Sequence, residues 1–286
     1  MIIFPNCKIN LGLKIIRKRN DGYHDLQTVI FPIKIYDALE VIQEPGKSSK
    51  NYPEKPAGLT LKEALQFECT GLDVRNDAAT NLSVKAFHLL KKDFPQIPSI
   101  QMHLHKTIPI GAGLGGGSAD GAFTLLLINQ KFGLGISNEK LLDYALQIGS
   151  DCPFFIINKL CFATGRGEFL EPLALDLSCY RFIIVHPGIP IITSQIFSEI
   201  TPTGTAKPIK EIIKQPIETW RNELKNDFEE PVFKNYPEVK KIKNELYESG
   251  SIYASMSGSG SAVYGIFEKD HTGIPEFPNT YFVREL

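Results

Sequence analysis

The glycine-rich stretch PIGAGLGGGSAD at positions 109–120 constrains this 286-residue chain more than any other feature. Five of its glycines fall within seven residues, and such a cluster suggests that something must approach the backbone closely. An alternating strand pattern precedes it at 99–105, and an apolar helical pattern follows at 118–131. Bare amides that lead into a helix N-terminus predict a phosphate-binding loop, because the unpaired N–H groups and the helix dipole favour an anion. A tight turn without a ligand remains the alternative.

Better-known phosphate loops do not fit this context. The letters at 111–116 satisfy G-x-G-x-x-G, but a dinucleotide site needs a following strand that ends in an acidic residue about 20 positions on. Here a second helical pattern follows, from Ser137 to a stop at Gly149. The chain also lacks the Walker lysine pattern and the H-R-D and D-F-G motifs of protein kinases. The loop therefore indicates a phosphate ligand on a different fold.

Composition excludes several classes of protein. A net charge of -1 argues against a nucleic-acid partner, which normally requires a basic surface. The five cysteines are odd in number and never spaced as C-x-x-C, so neither a disulfide framework nor a zinc site is predicted. No apolar run approaches the roughly 18 residues of a membrane span. We expect a cytoplasmic protein without nucleic-acid or membrane partners.

The N-terminal half contains the clearest local patterns. Alternating apolar residues at 9–15 predict a half-buried strand, with Lys8 and Asn10 together on its other face. Asn81 is predicted to cap a helix that Pro95 ends. The stretch 43–58 is rich in Pro, Gly, Ser and Lys and predicts an exposed excursion whose role the sequence does not reveal.

Beyond position 151 the patterns indicate a second unit. Strand-like runs at 160–163, 182–186 and 262–267 surround an amphipathic helix that begins at Pro237 and stops near Gly250. The predicted class is therefore mixed α and β in two subdomains.

Four segments resemble one known family, the GHMP small-molecule kinases. The stretch at 109–119 resembles the family's phosphate motif, roughly P-x-G-x-G-L-G-S/G-S/G-S-A, and SMSGSGSAVYGIF at 255–267 resembles its third, glycine-serine motif. Two more, CKINLGLKIIRKRNDGYHDLQTV at 7–29 and GSDCPFF at 149–155, look like the isoprenoid-pathway branch of the family. The matches occur in the expected order and span nearly the whole chain.

This resemblance implies a fold and an activity. The expected fold is α+β, a two-subdomain GHMP kinase fold with a ribosomal protein S5 domain 2-like N-terminal half at 1–162 and a ferredoxin-like C-terminal half at 163–286. The expected reaction is phosphorylation of the 2-hydroxyl of diphosphocytidyl methylerythritol by ATP with Mg2+. A GHMP kinase for another small alcohol, such as homoserine or mevalonate, is the alternative. The expected oligomeric state is a monomer or a weak homodimer.

The catalytic roles also come from the resemblance. By it, Asp151 takes the hydroxyl proton, and Lys8 holds the substrate hydroxyl and neutralises developing charge. Spacing alone leaves other interpretations open, because an aspartate before Cys152 and Pro153 is also typical of a capped turn, and Lys8 of a solvated strand.

The remaining candidate residues are predicted to bind either the substrate or the nucleotide. By the resemblance, Tyr23 stacks on cytosine, His24 contacts the base edge, and Asn10 and Thr193 contact the substrate. The alternatives are surface packing for Tyr23, a solvated loop position for His24, a strand-edge amide bonded to water for Asn10, and a helix cap for Thr193. Ser118 either caps a helix or contacts the metal, and because no acidic ligand stands out, Mg2+ is expected on ATP and water. The predicted nucleotide-binding residues are Asn81, Lys106, Pro109, Gly111, Gly113, Leu114, Gly115, Gly116, Gly117 and Ser118.

Overall fold

The computed structural model describes residues 1–43, 64–72, 79–200 and 207–286, without the side chains of Ser194 and Ser198. The predicted excursion at 43–58 lies, except for Gln43, outside the described residues.

The described chain contains twelve strands and nine helices. The strands are β1 (Ile2–Ile3), β2 (Asn6–Lys18), β3 (His24–Tyr36), β4 (Ala38–Gln43), β5 (Leu65–Gly71), β6 (Ile100–Lys106), β7 (Cys161–Gly165), β8 (Phe169–Pro172), β9 (Tyr180–His186), β10 (Tyr253–Met256), β11 (Val263–Glu268) and β12 (Phe282–Glu285). The helices are α1 (Leu82–Asp93), α2 (Gly116–Phe132), α3 (Asn138–Ile148), α4 (Cys152–Ile157), α5 (Thr193–Glu199), α6 (Ile209–Ile212), α7 (Ile217–Glu223), α8 (Glu229–Asn235) and α9 (Pro237–Glu248).

The described residues form two compact units that do not follow chain order. The first comprises Met1–Cys7, Ile35–Ile108 and Gly116–Asn158, and the second comprises Lys8–Lys34, Pro109–Gly115 and Lys159–Leu286. The division thus differs from the predicted halves 1–162 and 163–286 in where it places 8–34, 109–115 and 159–162. The cause is long-range pairing: β3 joins β7 with Leu26 opposite Gly165, a contact that local sequence patterns do not show.

The first unit is built on a sheet of order β1-β4-β6-β5. Strand β6 pairs antiparallel with β4 and parallel with β5. As its alternation predicts, one face of β6 buries Ile100, Met102 and Leu104. The predicted helices are confirmed: α1 has Asn81 at its N-cap, and Ser137 caps α3. Helix α2 is largely buried, which is why its sequence is apolar nearly all round.

The second unit contains the other two sheets, of order β2-β3-β7-β8 and β10-β11-β9-β12. In the latter, β9 lies between β11 and β12 and pairs antiparallel with both. The predicted amphipathic helix is α9, whose Val239, Ile242 and Leu246 are fully buried in the core of this unit. Each such side chain contributes about 1.5–3 kcal/mol through burial. Among the described helices, none is both long and apolar enough to cross a membrane.

Candidate active site

The glycine loop needs its glycines for both backbone conformation and close packing. In the second unit, Gly111, Gly113 and Gly115 all have positive φ angles, of 69°, 77° and 72°. A Cβ on Gly113 would lie 2.0 Å from the carbonyl oxygen of Ser257, so only glycine fits there. The Ser257 hydroxyl donates to the Gly113 carbonyl at 2.8 Å. The glycine-serine turn therefore packs directly against the loop.

The first turn of α2, in the first unit, continues the loop. Gly116 and Gly117 begin the helix, and its first turn carries no acidic side chain. Ser118 lies inside this turn, and its side chain hydrogen-bonds the Cys152 thiol at the start of α4. The free amides of such a turn attract anions through their N–H groups and the helix dipole.

Lys8 is held from two sides within the second unit. Its side chain is only 4% exposed, and the ammonium donates to Asn10 Oδ1 at 2.6 Å and to the Gly113 carbonyl at 2.9 Å. Its backbone amide also donates to the Leu114 carbonyl at 2.9 Å. The Lys8 ammonium is buried and hydrogen-bonded to the glycine loop, so the alternative interpretation of Lys8 as a solvated strand lysine is wrong.

Asn10 is buried and fixed by a network in the second unit. Its amide donates to the Thr28 hydroxyl at 3.0 Å, and its backbone carbonyl accepts from the Tyr264 hydroxyl at 2.9 Å. A Cβ on Gly258 would lie 3.2 Å from Asn10 Oδ1, so the glycine-serine turn closes over this network. The predicted pairing of Lys8 and Asn10 on one strand face is confirmed.

Asp151 is partly buried at the N-cap position of α4, in the first unit. Its side chain makes no capping hydrogen bond to this helix, so the capping interpretation of Asp151 is wrong. The neighbouring Cys152 thiol is buried, which together with the Asp151 charge raises its pKa to about 12 despite the Ser118 hydrogen bond. The Cys152 thiol therefore stays protonated near neutral pH.

The Lys106 side chain is buried between two aspartates in the first unit. Its ammonium is 3% exposed, lies 2.6 Å from Asp120 Oδ2 and also contacts Asp37. Attraction to these two carboxylates outweighs burial, so the pKa of Lys106 is raised and the lysine is charged. Asp37 and Asp120 were not singled out from the sequence, because their convergence on Lys106 depends on tertiary structure.

The predicted substrate residues lie in the second unit. Tyr23 is 52% exposed, with the Arg166 guanidinium 4.8 Å from its ring centroid, an arrangement typical of a cation–π contact. His24 stacks on Phe197 with the ring centroids 4.7 Å apart, and burial and the charge of Lys18 lower its pKa. Neither Phe197 nor Arg166 was predictable from local patterns, because both contacts are long-range.

Thr193 is the first residue of α5, and its hydroxyl lies 3.0 Å from that of Ser259. The N-cap position of this helix is Ile192, so the capping alternative for Thr193 is wrong.

The other predicted nucleotide residues are Asn81 and Pro109. Asn81 Oδ1 accepts from the Ser83 amide at 2.9 Å, which confirms its capping role in the first unit. Pro109 is buried where the second unit's loop begins. Over the ranges that the structure describes, no three His, Cys, Asp or Glu side chains form a group that could hold a metal ion.

Comparisons with known families match both parts of the chain. The GHMP kinases N terminal domain matches residues 81–159, and the GHMP kinases C terminal domain matches residues 208–274.

Curated relatives match over almost the full length. The chain is 46% identical over 270 residues to the 4-diphosphocytidyl-2-C-methyl-D-erythritol kinase of Bacteroides fragilis, covering 94% of this chain and 93% of that protein. It is 45% identical over 278 residues to the kinase of the same name from Azobacteroides pseudotrichonymphae, covering 97% of both.

Solved structures agree with these relatives. A crystal structure of 4-(cytidine 5'-diphospho)-2C-methyl-D-erythritol kinase matches with a TM-score of 0.76 and 30% identity, over 93% of this chain and 90% of the other. Homoserine kinase from Cytophaga hutchinsonii matches with a TM-score of 0.58 and 14% identity, covering 93% of this chain and 86% of that one, which shows a shared fold alone.

Proposed function

Because the chain belongs to the GHMP kinases, and within them to the 4-diphosphocytidyl-2-C-methyl-D-erythritol kinases, we propose that it phosphorylates the 2-hydroxyl of 4-diphosphocytidyl-2-C-methyl-D-erythritol with ATP. This reaction belongs to the methylerythritol phosphate route to isoprenoid precursors. The observation that carries the proposal is the buried Lys8 ammonium, fixed by Asn10 and by the carbonyl of Gly113 in the glycine loop. A cation held against a phosphate-binding loop suits phosphoryl transfer.

The proposed chemistry is a direct displacement at the γ-phosphorus of ATP. The substrate hydroxyl oxygen forms the new bond, the bond between the γ-phosphorus and the bridging oxygen breaks, and ADP leaves. Asp151 accepts the hydroxyl proton, and Lys8 stabilises the negative charge that develops on the reacting oxygens. Asn10 fixes the Lys8 ammonium and contacts the substrate.

The glycine loop and the first turn of α2 are proposed to bind the ATP phosphates through backbone amides. This set comprises Pro109, Gly111, Gly113, Leu114, Gly115, Gly116, Gly117 and Ser118. Asn81 is proposed to lie near adenine in addition to capping α1. A contact between Lys106 and the nucleotide stays a prediction, and the burial of its ammonium between two carboxylates does not support it.

The described residues do not fit a carboxylate cage for Mg2+. The ion is instead proposed to rest on the ATP phosphates and water, where it neutralises phosphate charge. Ser118 is the third residue of α2 and therefore does not occupy its N-cap position.

Tyr23, His24 and Thr193 are proposed to contact the diphosphocytidyl substrate, with the Tyr23 ring stacked on cytosine. The contact of Arg166 with Tyr23 supports this proposal, because it leaves the aromatic ring fixed and still half exposed. We also propose a cytoplasmic location, a monomer or weak homodimer, and a domain boundary near 162.

A GHMP kinase for homoserine or mevalonate is not favoured. Relatives at 45–46% identity carry the diphosphocytidyl name, whereas the homoserine kinase structure is only 14% identical.

The proposal is tested by ADP release from Mg-ATP with four alcohols: the diphosphocytidyl substrate, mevalonate, homoserine and galactose. We expect turnover with the first alone. Lys8→Met and Asp151→Asn should lower kcat strongly, whereas the matched changes Lys18→Met and Asp143→Asn, at exposed positions, should not. Turnover with another alcohol would contradict the substrate, and full activity of Asp151→Asn would contradict its role as the base.

A further inference from the structure

A buried charge cluster lies beside the first turn of α2, within the first unit. Asp37, Lys106 and Asp120 are 0%, 3% and 3% exposed, and the Lys106 ammonium contacts both carboxylates. If both aspartates are ionised, the cluster carries one net negative charge. Burying such a charge is costly unless every polar atom is paired.

The cluster joins the two chain segments that flank the glycine loop. Asp37 Oδ1 accepts from the backbone amides of Thr107 at 2.5 Å and Ile108 at 2.9 Å, at the end of β6. Lys106 is the last residue of β6, and a Cβ on Gly116 would lie 3.3 Å from its ammonium nitrogen. Asp120 lies four residues farther along α2, about 6 Å along the helix axis. The cluster can therefore hold the first turn of α2 in position, and its protonation state determines the net charge beside that turn.

One oxygen of Asp120 is unsatisfied. Oδ2 accepts from Lys106, but Oδ1 is buried and has no hydrogen-bond partner among the described residues. The groups that face this carboxyl are Lys106 from β6 and Asp37 from the turn between β3 and β4, and the Cys69 thiol of β5 faces the same cluster. Burial, and repulsion from Asp37, raise the pKa of Asp120 to about 7 against the attraction of Lys106.

We propose that Asp120 is a positioning residue that is protonated when the first turn of α2 binds phosphate. Asp37 and Lys106 then form one neutral ion pair, and the Lys106 ammonium remains the charge nearest to Gly116. When nucleotide leaves, the proton returns to solvent. This inference rests on the proposed binding of ATP at this turn, and it makes that binding weaker as the pH rises and Asp120 ionises.

The test compares wild type with Asp120→Asn, a change of similar shape that removes the titration, and with Asp143→Asn as the matched control on α3. The Asp143 side chain is 68% exposed. KM for ATP and kcat are measured from pH 6 to pH 8.5 for all three proteins. The wild-type KM should rise with pH by several-fold more than that of Asp120→Asn, with a limit of about tenfold per pH unit for one proton. Asp143→Asn should follow wild type.

Calorimetry supplies a readout that does not depend on turnover. Binding of ADP is measured at pH 7.5 in two buffers of different ionisation enthalpy, which gives the number of protons taken up. Nucleotide phosphates bind protons themselves, so the difference between wild type and Asp120→Asn is the quantity of interest. We expect a greater proton uptake by wild type.

If Asp120→Asn fails to fold, the wild-type Asp120 pKa is measured instead from the carboxyl carbon resonance by NMR, with and without ADP. A rise in this pKa on binding is expected, and no change would overturn the inference. Equal KM profiles or equal proton uptake would also overturn it while leaving the proposed function intact. Failure of all three proteins to bind nucleotide would overturn both.

Discussion

The ammonium nitrogen of Lys8 lies 2.6 Å from Oδ1 of Asn10, two residues along the same strand. The same ammonium reaches the carbonyl of Gly113, so one side chain connects β2 to the glycine loop. Alternation along a strand places residues i and i+2 on one face, which is why the sequence could predict this pair.

Replacing Asn10 with alanine should lower activity while the protein stays folded. The change removes an acceptor from the Lys8 ammonium, and hydrogen bonds to charged groups contribute about 1.5–3 kcal/mol. We expect kcat/KM for the diphosphocytidyl substrate to fall roughly 10- to 150-fold. Steady-state kinetics measure the effect, and Asn138→Ala, at an exposed position on α3, is the control. Unchanged kinetics would show that Asn10 does not hold Lys8 for catalysis.

Gly113→Ala should destabilise the protein far more than Gly117→Ala. Gly113 has a φ of +77°, and a Cβ there would lie 2.0 Å from the Ser257 carbonyl oxygen. Left-handed strain alone costs about 1–2 kcal/mol, and the clash adds to it. A Cβ on Gly117 meets nothing within 4 Å, so alanine there should be neutral or slightly stabilising. Urea unfolding compares the two variants, and equal midpoints would contradict the packing described.

Two substitutions at Asn81 distinguish a role in capping α1 from a role in nucleotide binding. Asn81→Ala removes the acceptor for the Ser83 amide and should cost about 1 kcal/mol in the free energy of unfolding. Asn81→Asp keeps an acceptor oxygen, so the stability should remain near wild type. If the amide also contacts adenine, KM for ATP should rise in Asn81→Asp at unchanged stability. A wild-type KM in that variant would limit Asn81 to capping.

Because His186 is buried, the free energy of unfolding should decrease at acidic pH. Burial lowers its pKa to about 4, and its Nε2 has no hydrogen-bond partner among the described residues. Between pH 6.5 and 4, His186 therefore binds a proton more readily in the unfolded chain than in the folded protein. The contribution of neutral His186 to the free energy of unfolding is complete above pH 6.5 and is lost as the pH falls toward 4. The loss approaches about 3 kcal/mol.

Denaturant unfolding at pH 7.5 and pH 4.5 measures this effect. His186→Gln should be less sensitive to acid than wild type, whereas His105→Gln, an exposed control, should match wild type. Equal acid sensitivity of wild type and His186→Gln would show that another group is responsible.

Local patterns predicted the elements that depend on nearby residues. Helices α1 and α3 begin directly after Asn81 and Ser137, because a capping side chain satisfies free amides at each N-terminus. Strand β6 was predictable because Ile100, Met102 and Leu104 alternate with polar residues. The glycine loop was predictable because its conformation leaves few residue types possible.

Features that depend on distant contacts were not predictable. The Lys106 cluster needs Asp37 and Asp120, which lie 69 and 14 residues away along the chain. The assignment of 8–34 to the second unit depends on the pairing of β3 with β7. Neither leaves a periodic signal in one sequence, because periodicity reports only which face of an element is buried.

The proposed reaction is tested most directly by 31P NMR of the product formed by wild type from Mg-ATP and the diphosphocytidyl substrate. We expect a new phosphomonoester resonance, a retained diphosphate in the organic product, and release of one ADP for each product formed. ADP formation with inorganic phosphate as the only new product, or no reaction, would contradict it.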